Sequence, residues 1–363
     1  MVRQYQLMYY CADGTIEMVR LAGPQLWAHV ACFGERRTLT SALPPAPVQF
    51  DLKNRRTFLK RCDYPSVRLA DLYEGSIITV YSRQLTIVKY GDTFTARAFQ
   101  KQTEMTVAYV MSDAVSLVGQ ALDMASSLSL AIVELRMLGL SPSHASAIFA
   151  DPAVAAAASK GLLVAAKLSG QDAVAKWSGA IAGQAGVSGS ASGAAAAKEA
   201  EALFGGAIPP TSSPSEFESS SLLLVRPHAV REGKLGAILH QVMASGFAVR
   251  GLQMLQLSRP NAVEFLEVYK GVVPEYSDWV EEVVSGKCVA VQVVYSAQKE
   301  MSVPALRELC GAHDPEIASH LHKGSLRALY GDDKVKNAVH CTDLPDDAPL
   351  ELDYFFCLLP SAA

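Results

Sequence analysis

One stretch of this sequence puts a reactive side chain in useful company: Lys336-Asn337-Ala338-Val339-His340-Cys341-Thr342-Asp343. A histidine beside a short apolar pair is, by itself, most simply a packed or exposed structural residue. The surroundings of His340 point elsewhere. Glu351 lies eleven residues later, at what reads as the start of a strand. Its carboxylate could accept one imidazole N–H and leave the other ring nitrogen as a nucleophile. Upstream stand Arg307, Arg327 and Tyr269, the donor types that neutralise and anchor a triphosphate.

These side chains need elements to hold them. From about Lys101 the pattern alternates helix and strand, and the chain repeats itself at a shift of about 117 residues. Leu135-Arg136-Met137-Leu138-Gly139-Leu140-Ser141 falls on Leu252-Gln253-Met254-Leu255-Gln256-Leu257-Ser258, which indicates two copies of one module. At a slightly larger shift Ala202-Leu203-Phe204-Gly205 falls on Ala328-Leu329-Tyr330-Gly331. In the second copy Leu235, Ile238, Leu239, Val242 and Met243 stripe one face of a helix. Strands are expected at 221–225, 248–257 and 289–294, a helix at 260–269, and a last strand at 352–358. That order, βαββαβ, predicts a ferredoxin-like sheet. In the first copy the Gly, Ser and Ala run 183–198 is too small and too entropic to pack well. It passes into the linker Pro209-Pro210-Thr211-Ser212-Ser213-Pro214, so the first copy reads as truncated.

Residues 5–97 have a different texture of short alternating strands. Ala12-Asp13-Gly14 marks a hairpin between 6–10 and 15–19, and a second hairpin joins 76–82 to 84–90. The stretch 23–47, with four prolines, reads as an insertion loop carrying Trp27. The expected fold is α+β: a β-rich region at 1–98, a degenerate module at 103–207, a linker at 208–219 and a second module at 220–360.

Composition excludes several classes. The chain has 363 residues, half of them apolar, and a net charge of −4. That is enough to bury several cores but offers no global field for nucleic acid. No apolar run is long enough to span a membrane, and the amino terminus lacks a signal layout, so a soluble, non-secreted chain is expected. Seven cysteines without a CxxC pair argue for reduced thiols. His313, His320 and His322 match no zinc spacing, so no metal site is expected. Asp346 and Asp347 read as helix-start or loop charges.

The His340 segment resembles the signature of the nucleoside diphosphate kinase family, Asn-x-x-His followed by Gly-Ser-Asp. The resemblance implies that His340 accepts phosphate, Glu351 orients it, Thr342 replaces the adjoining serine, and Asn337 bonds the ribose. Arg327, in Gly324-Ser325-Leu326-Arg327, falls on the arginine of the family's Gly-Thr-Ile-Arg element. Arg307 falls on another phosphate arginine and Tyr269 on the site tyrosine. Arg226, in Arg226-Pro227-His228, stands where the family has Lys-Pro-Asp. Two-step transfer of the γ-phosphate of ATP to a nucleoside diphosphate is implied, with Mg2+ carried on the nucleotide. Both modules follow the β-rich region to complete the α+β architecture; that region's own resemblance is to a different, pleckstrin-like domain.

Departures from the family pattern bear on turnover. Arginine at 226 is a planar fork where lysine is a compact charge. Glu275 falls on an arginine of the nucleotide-gripping hairpin, and Ser277 on the base-stacking phenylalanine. A reversed charge there is worth about 1–4 kcal/mol. His313 replaces a threonine. In the first copy Met111-Ser112-Asp113 replaces Lys-Pro-Asp, Glu201 replaces an arginine, and no Asn-x-x-His follows Gly206. That copy is expected to be a structural half.

The segments Lys53-Asn54-Arg55-Arg56-Thr57-Phe58-Leu59-Lys60-Arg61, Leu72-Tyr73-Glu74-Gly75, Tyr81-Ser82-Arg83-Gln84-Leu85 and Tyr90-Gly91-Asp92 resemble the DM-ten domain of ciliary proteins. Joined to two kinase-like modules, that domain is similar to an axonemal branch of the family. It implies a cytoskeletal component of cilia or flagella, inside or on doublet microtubules, with tubulin and other axonemal doublet proteins as partners. The basic cluster Lys53, Arg55, Arg56, Lys60 and Arg61 suits either an acidic tubulin surface or a solvated hairpin. The first reading is a kinase fold used as a structural body of axonemal doublet microtubules; the alternative is a working kinase at His340.

Overall fold

A computed structural model of the chain describes residues 4–21, 28–33, 56–73, 76–81, 83–91, 96, 104–206 and 217–361. Two compact units, Met1–Gln102 and Thr103–Ala363, divide it. In the first, strands β1 (Gln4–Tyr10) and β2 (Thr15–Leu21) form the expected hairpin, with Gly14 at φ +70° in its turn. Tyr5, Leu7 and Tyr9 alternate inward and meet Ile16 and Met18. β3 (Ala28–Phe33), β4 (Arg56–Asp63), β5 (Ile77–Val80) and β6 (Arg83–Tyr90) extend the sheet in the order β4-β2-β1-β3-β6-β5. The second expected hairpin is β5–β6.

β3 corrects one expectation, because it lies within the 23–47 stretch read as a loop and pairs in parallel with β1. The prolines flank the run Ala28-His29-Val30-Ala31-Cys32-Phe33 and leave its amides free to join a ladder. The rest of that stretch, Trp27 included, lies outside the described residues, as do Lys53, Arg55 and most of the linker. Of the basic cluster, Arg61 is engaged locally, by Asp13 at 2.5 Å and over the Tyr10 ring at 3.8 Å.

The second unit contains both modules. The first runs β7 (Glu104–Val110), α1 (Val118–Ser127), β8 (Ala131–Gly139), α2 (Pro142–Ile148), α3 (Pro152–Ala158), β9 (Leu162–Gly170), α4 (Ala173–Ala180), β10 (Val187–Gly189) and α5 (Gly193–Phe204). The second runs β11 (Ser221–Val225), α6 (Pro227–Arg231), α7 (Leu235–Ala244), β12 (Phe247–Leu255), α8 (Arg259–Phe265) and α9 (Tyr276–Val284). It continues with β13 (Cys288–Tyr295), α10 (Ser302–Cys310), α11 (Pro315–Leu321), α12 (Leu326–Tyr330), β14 (Val339–Cys341) and α13 (Ala348–Asp353). On α7 the predicted stripe is buried, fully at Leu235, Ile238, Leu239 and Val242 and partly at Met243. Each such side chain contributes roughly 1.5–3 kcal/mol of transfer free energy. Ser141 and Ser258 cap α2 and α8 in the same way, each accepting a backbone N–H of the first turn.

The fold is α+β, with βαββαβ order in each module, and two sequence expectations need correction. Segment 352–358 is helical: α13 continues into a π-helical turn, Tyr354–Leu358. The fourth strand of the second module is β14, which carries His340 itself. The apolar run 354–359 alternates poorly, and Pro349 in the first turn of α13 starts a helix whose Leu352 and Phe355 reach the core. The run 183–198 is also ordered, as β10 and the start of α5. Small residues are required there, because a Cβ on Gly189 would lie 2.4 Å from the Trp177 ring and Gly186 sits at φ +76°.

One sheet of eight strands joins the modules in the order β10-β7-β9-β8-β12-β13-β11-β14. At its centre β8 meets β12 antiparallel with Arg136 opposite Gln253, residues that the sequence repeat lays on each other. Helices α1 and α7 cross beside this seam. A Cβ on Gly119 would lie 2.5 Å from His240 N, and one on Gly236 2.3 Å from Asp123 N. These contacts are reciprocal under the same shift, the mark of an isologous two-fold interface built within a single chain. Gly236→Val should therefore cost about 1–3 kcal/mol by overpacking the crossing, read as a lower urea midpoint. Gly179→Ala, at an exposed α4 position with nothing within 4 Å of the added Cβ, should leave the midpoint equal or higher.

Candidate functional site

The second module closes its sheet with β14, a three-residue edge strand whose Leu224↔His340 register sets the histidine beside β11. Ala338, just before it, sits at φ +68°. That is a left-handed conformation costing a non-glycine residue roughly 1–2 kcal/mol. His340 is 4% exposed. Its Nε2 faces Glu351 Oε1 at 3.3 Å, so the carboxylate takes one ring nitrogen and leaves Nδ1 as the free one. The other Glu351 oxygen accepts the Thr342 hydroxyl at 2.6 Å, and Thr342 Oγ1 in turn accepts the Leu222 N–H at 3.1 Å. Glu351 thus reaches the histidine from the first turns of α13, not from a strand.

Six of the expected residues, Arg226, Tyr269, Arg307, Arg327, Asn337 and His340, line one cavity of about 680 Å³. Thr342 does not. It is fully buried, does not line the cavity itself, and gives its hydroxyl to Glu351, so its expected role as a nucleotide contact becomes one of holding the carboxylate. The guanidinium groups differ in freedom. Arg307, about half exposed, gives Nη1 to the Asp343 carbonyl at 2.9 Å and lies 3.6 Å from its carboxylate. Arg327 bridges β14 to the end of α10, through Val339 O at 3.2 Å and Gly311 O at 2.8 Å. Arg226 is 1% exposed, gives Nη1 to Val335 O at 2.7 Å and stacks 4.9 Å over Trp279. Burial, with Arg327 nearby, pushes the Arg226 guanidinium down to about 10. Its remaining Nε has no protein partner, nor has the Asn337 Oδ1; both residues line the cavity.

Sequence reasoning missed several contributors. Asp343 is a hub, taking the Tyr269 hydroxyl at 2.6 Å as well as Arg307. Burial, then that bond, raise the Tyr269 phenol far above its usual range, so it stays a donor. The His340 ring is walled edge-on by Phe265 at 5.0 Å, and Trp279 packs 6.0 Å from His313. Asp343 lay within the motif; the aromatic wall had no local signal because its members come from α8, α9 and the turn after α13. Cys341 lies beside the histidine, its thiol pulled down by the Cys310 hydrogen bond and then by Arg327 against the effect of burial. Of the departures, Glu275 lines the cavity whereas Ser277 is exposed and does not. Among the described residues no group of three His, Cys, Asp or Glu side chains could hold a metal ion.

The first module carries the same framework without its reactive group. β10 pairs with β7 as β14 pairs with β11, placing Ser188 at the position of His340 and Gly186, φ +76°, at that of Ala338. Ser190 receives the Val107 N–H at 3.1 Å and bonds Glu199, as Thr342 does with Leu222 and Glu351. α5 is therefore the counterpart of α13, and the sequence match of 202–205 to 328–331 is overturned. Glu199 is also claimed by the Tyr109 hydroxyl, and Tyr109 packs 5.0 Å from Phe149. The module lacks counterparts of α11 and α12, and its α2–α3 connection is only three residues, 149–151. The lost motif lies before Gly206, not after it.

Comparisons with known proteins agree with this geometry. Residues 219–358 match the family model described as nucleoside diphosphate kinase. The chain is similar to nucleoside diphosphate kinase homolog 7 of Mus musculus and of Rattus norvegicus, each 36% identical over 99% of this chain and 90% of the relative. A nucleoside diphosphate kinase of Chloroherpeton thalassium is 35% identical over 38% of this chain and 91% of its own length. With the histidine, its carboxylate and the phosphate-type donors gathered at one cavity, the chain belongs to the nucleoside diphosphate kinase family.

Proposed function

We propose that the second module is a nucleoside diphosphate kinase centre in which His340 Nδ1 attacks the γ-phosphorus of a nucleoside triphosphate. A N–P bond forms, the bond to the β-phosphate oxygen breaks, and the diphosphate leaves; an acceptor diphosphate then takes the phosphoryl group back. The observation that carries this reading is the Thr342–Glu351–His340 chain at the cavity edge, which holds one ring nitrogen and presents the other. Arg307 is the mobile cation for the phosphates, while Tyr269 and Arg327 set the walls. Asn337 Oδ1, unpartnered in the cavity wall, suits a ribose hydroxyl. Magnesium enters as part of the nucleotide. Glu275 at the cavity opposes phosphate, so slow turnover is expected.

A second reading concerns what the rest of the chain is for. We propose that it is also a component of ciliary or flagellar doublet microtubules, bound to tubulin and other axonemal proteins. The support is the pairing of one module that carries the histidine site and one that does not in a single eight-stranded sheet, together with the DM-ten-like segments. Doublets extracted with high salt should retain the protein, and its free release would sink this reading.

Incubation with γ-labelled ATP should place acid-labile, base-stable phosphate on the chain, with none on a His340→Gln variant. Absence of label on the wild type, under conditions that label an active family member, would remove the enzymatic reading. Ser188→His should leave the label at about one phosphate per chain, because Glu199 is already engaged by Tyr109 and Ser190. A second phosphohistidine there would show the first site intact.

A further inference from the structure

The backbone that delivers His340 is strained, and the structure shows what restrains it. Ala338 is tied at both ends to the start of α6: the N–H of its N-cap, Arg226, donates to Ala338 O at 2.9 Å, and the Ala338 N–H donates to His228 Nε2 in its first turn at 3.1 Å. A ring nitrogen that accepts an N–H carries no proton of its own, so His228 holds its proton on Nδ1. That proton points at Glu282 Oε1, 2.7 Å away, and the same oxygen accepts the His228 backbone N–H at 3.0 Å. Ser285 Oγ, itself 3.1 Å from Arg231 Nη2, reaches the other Glu282 oxygen at 3.2 Å. His228 and Glu282 are 2% and 7% exposed. Burial would raise the Glu282 carboxyl, and the His228 bonds with Arg231 more than reverse this, holding it below the usual carboxylate range.

From this geometry we infer that His228, locked as its Nδ1–H tautomer by Glu282, is a positioning residue for phosphoryl transfer: it latches the strained Ala338 backbone and so aims His340. The inference rests on the phosphotransfer reading of the second module and adds to it a residue outside the motif. The first module supports it. There the same left-handed position is Gly186; the Met111 N–H still donates to Gly186 O at 2.8 Å, as Arg226 does to Ala338, but Asp113 stands where the second module has His228. A glycine holds the conformation by itself; an alanine requires a partner for its amide.

Two arms test it on the full chain. In 15N-histidine NMR the His228 ring, assigned by its loss in a His228→Gln variant, should show a protonated Nδ1 and a bare Nε2 near neutral pH, with the Ala338 amide slow to exchange. A protonated Nε2 overturns the latch whether or not the protein turns over. In the second arm, formation of phosphate on His340 is timed and nucleotide affinity is read with a fluorescent nucleoside diphosphate. His228→Asn, which can still donate to Glu282 but falls short of Ala338, should slow phosphorylation roughly 10- to 100-fold while changing affinity little. His228→Gln, whose amide oxygen can reach the Ala338 N–H, should recover most of the rate. Ala338→Gly in the His228→Asn background should recover part of it. Equal rates in wild type and His228→Asn overturn the inference and leave the kinase reading standing. An unlabelled wild type with the predicted tautomer removes both the kinase reading and the catalytic role of the latch.

Discussion

The second unit turns on the crossing of two helices at glycines, Gly119 of α1 and Gly236 of α7, where backbone meets backbone with no space for a methyl group. That approach brings β8 alongside β12 and turns two four-stranded sheets into one of eight strands. The contacts are reciprocal, so each module presents the other with the surface it receives. Tethering the halves in one chain makes the pairing independent of protein concentration. It also explains why a module without a reactive histidine persists: its β-sheet edge and α1 complete the core that holds α7 and β12.

Within the second module, the placement of His340 depends on a three-residue strand. β14 is too short to be held by its ladder alone, and side chains at both of its ends do the holding. Arg327 ties Val339 to the end of α10, Thr342 ties the far end to Leu222, and the Arg226–His228 segment fixes Ala338. The arginines at the cavity are therefore not three equal phosphate hooks. Arg226 and Arg327 are largely engaged by backbone carbonyls, whereas Arg307 is half exposed and held only by Asp343. The Arg226 guanidinium braces the wall through Nη1 and keeps an unpartnered Nε, a planar fork of donors where a lysine would place one compact ammonium.

The emptied module shows how a site is lost without loss of its frame. Ser190 and Glu199 still form the hydrogen bond that Thr342 and Glu351 form beside His340. Tyr109, in place of Leu224, has moved its hydroxyl onto the carboxylate, and Phe149 packs against its ring. A buried carboxylate needs partners, and with Ser188 at the histidine position the Tyr109 hydroxyl supplies one.

By itself the sequence singled out His340, Glu351, the cavity residues Arg226, Tyr269, Arg307, Arg327 and Asn337, the two-module repeat and most strands. Those signals are local: a short motif, or alternation that a single element must satisfy. Tertiary structure decided what depends on partners distant in the chain. Segment 352–358 became helical because Leu352 and Phe355 reach the core from α13. The Gly, Ser and Ala run became β10 because Trp177 leaves no space for a larger residue at Gly189. Thr342 turned from the cavity to Glu351, and His228 acquired its role from Ala338, 110 residues away. Residue types state which hydrogen bonds a side chain can make. Only the packed fold, which removes competing water and fixes distances, decides which of them it makes.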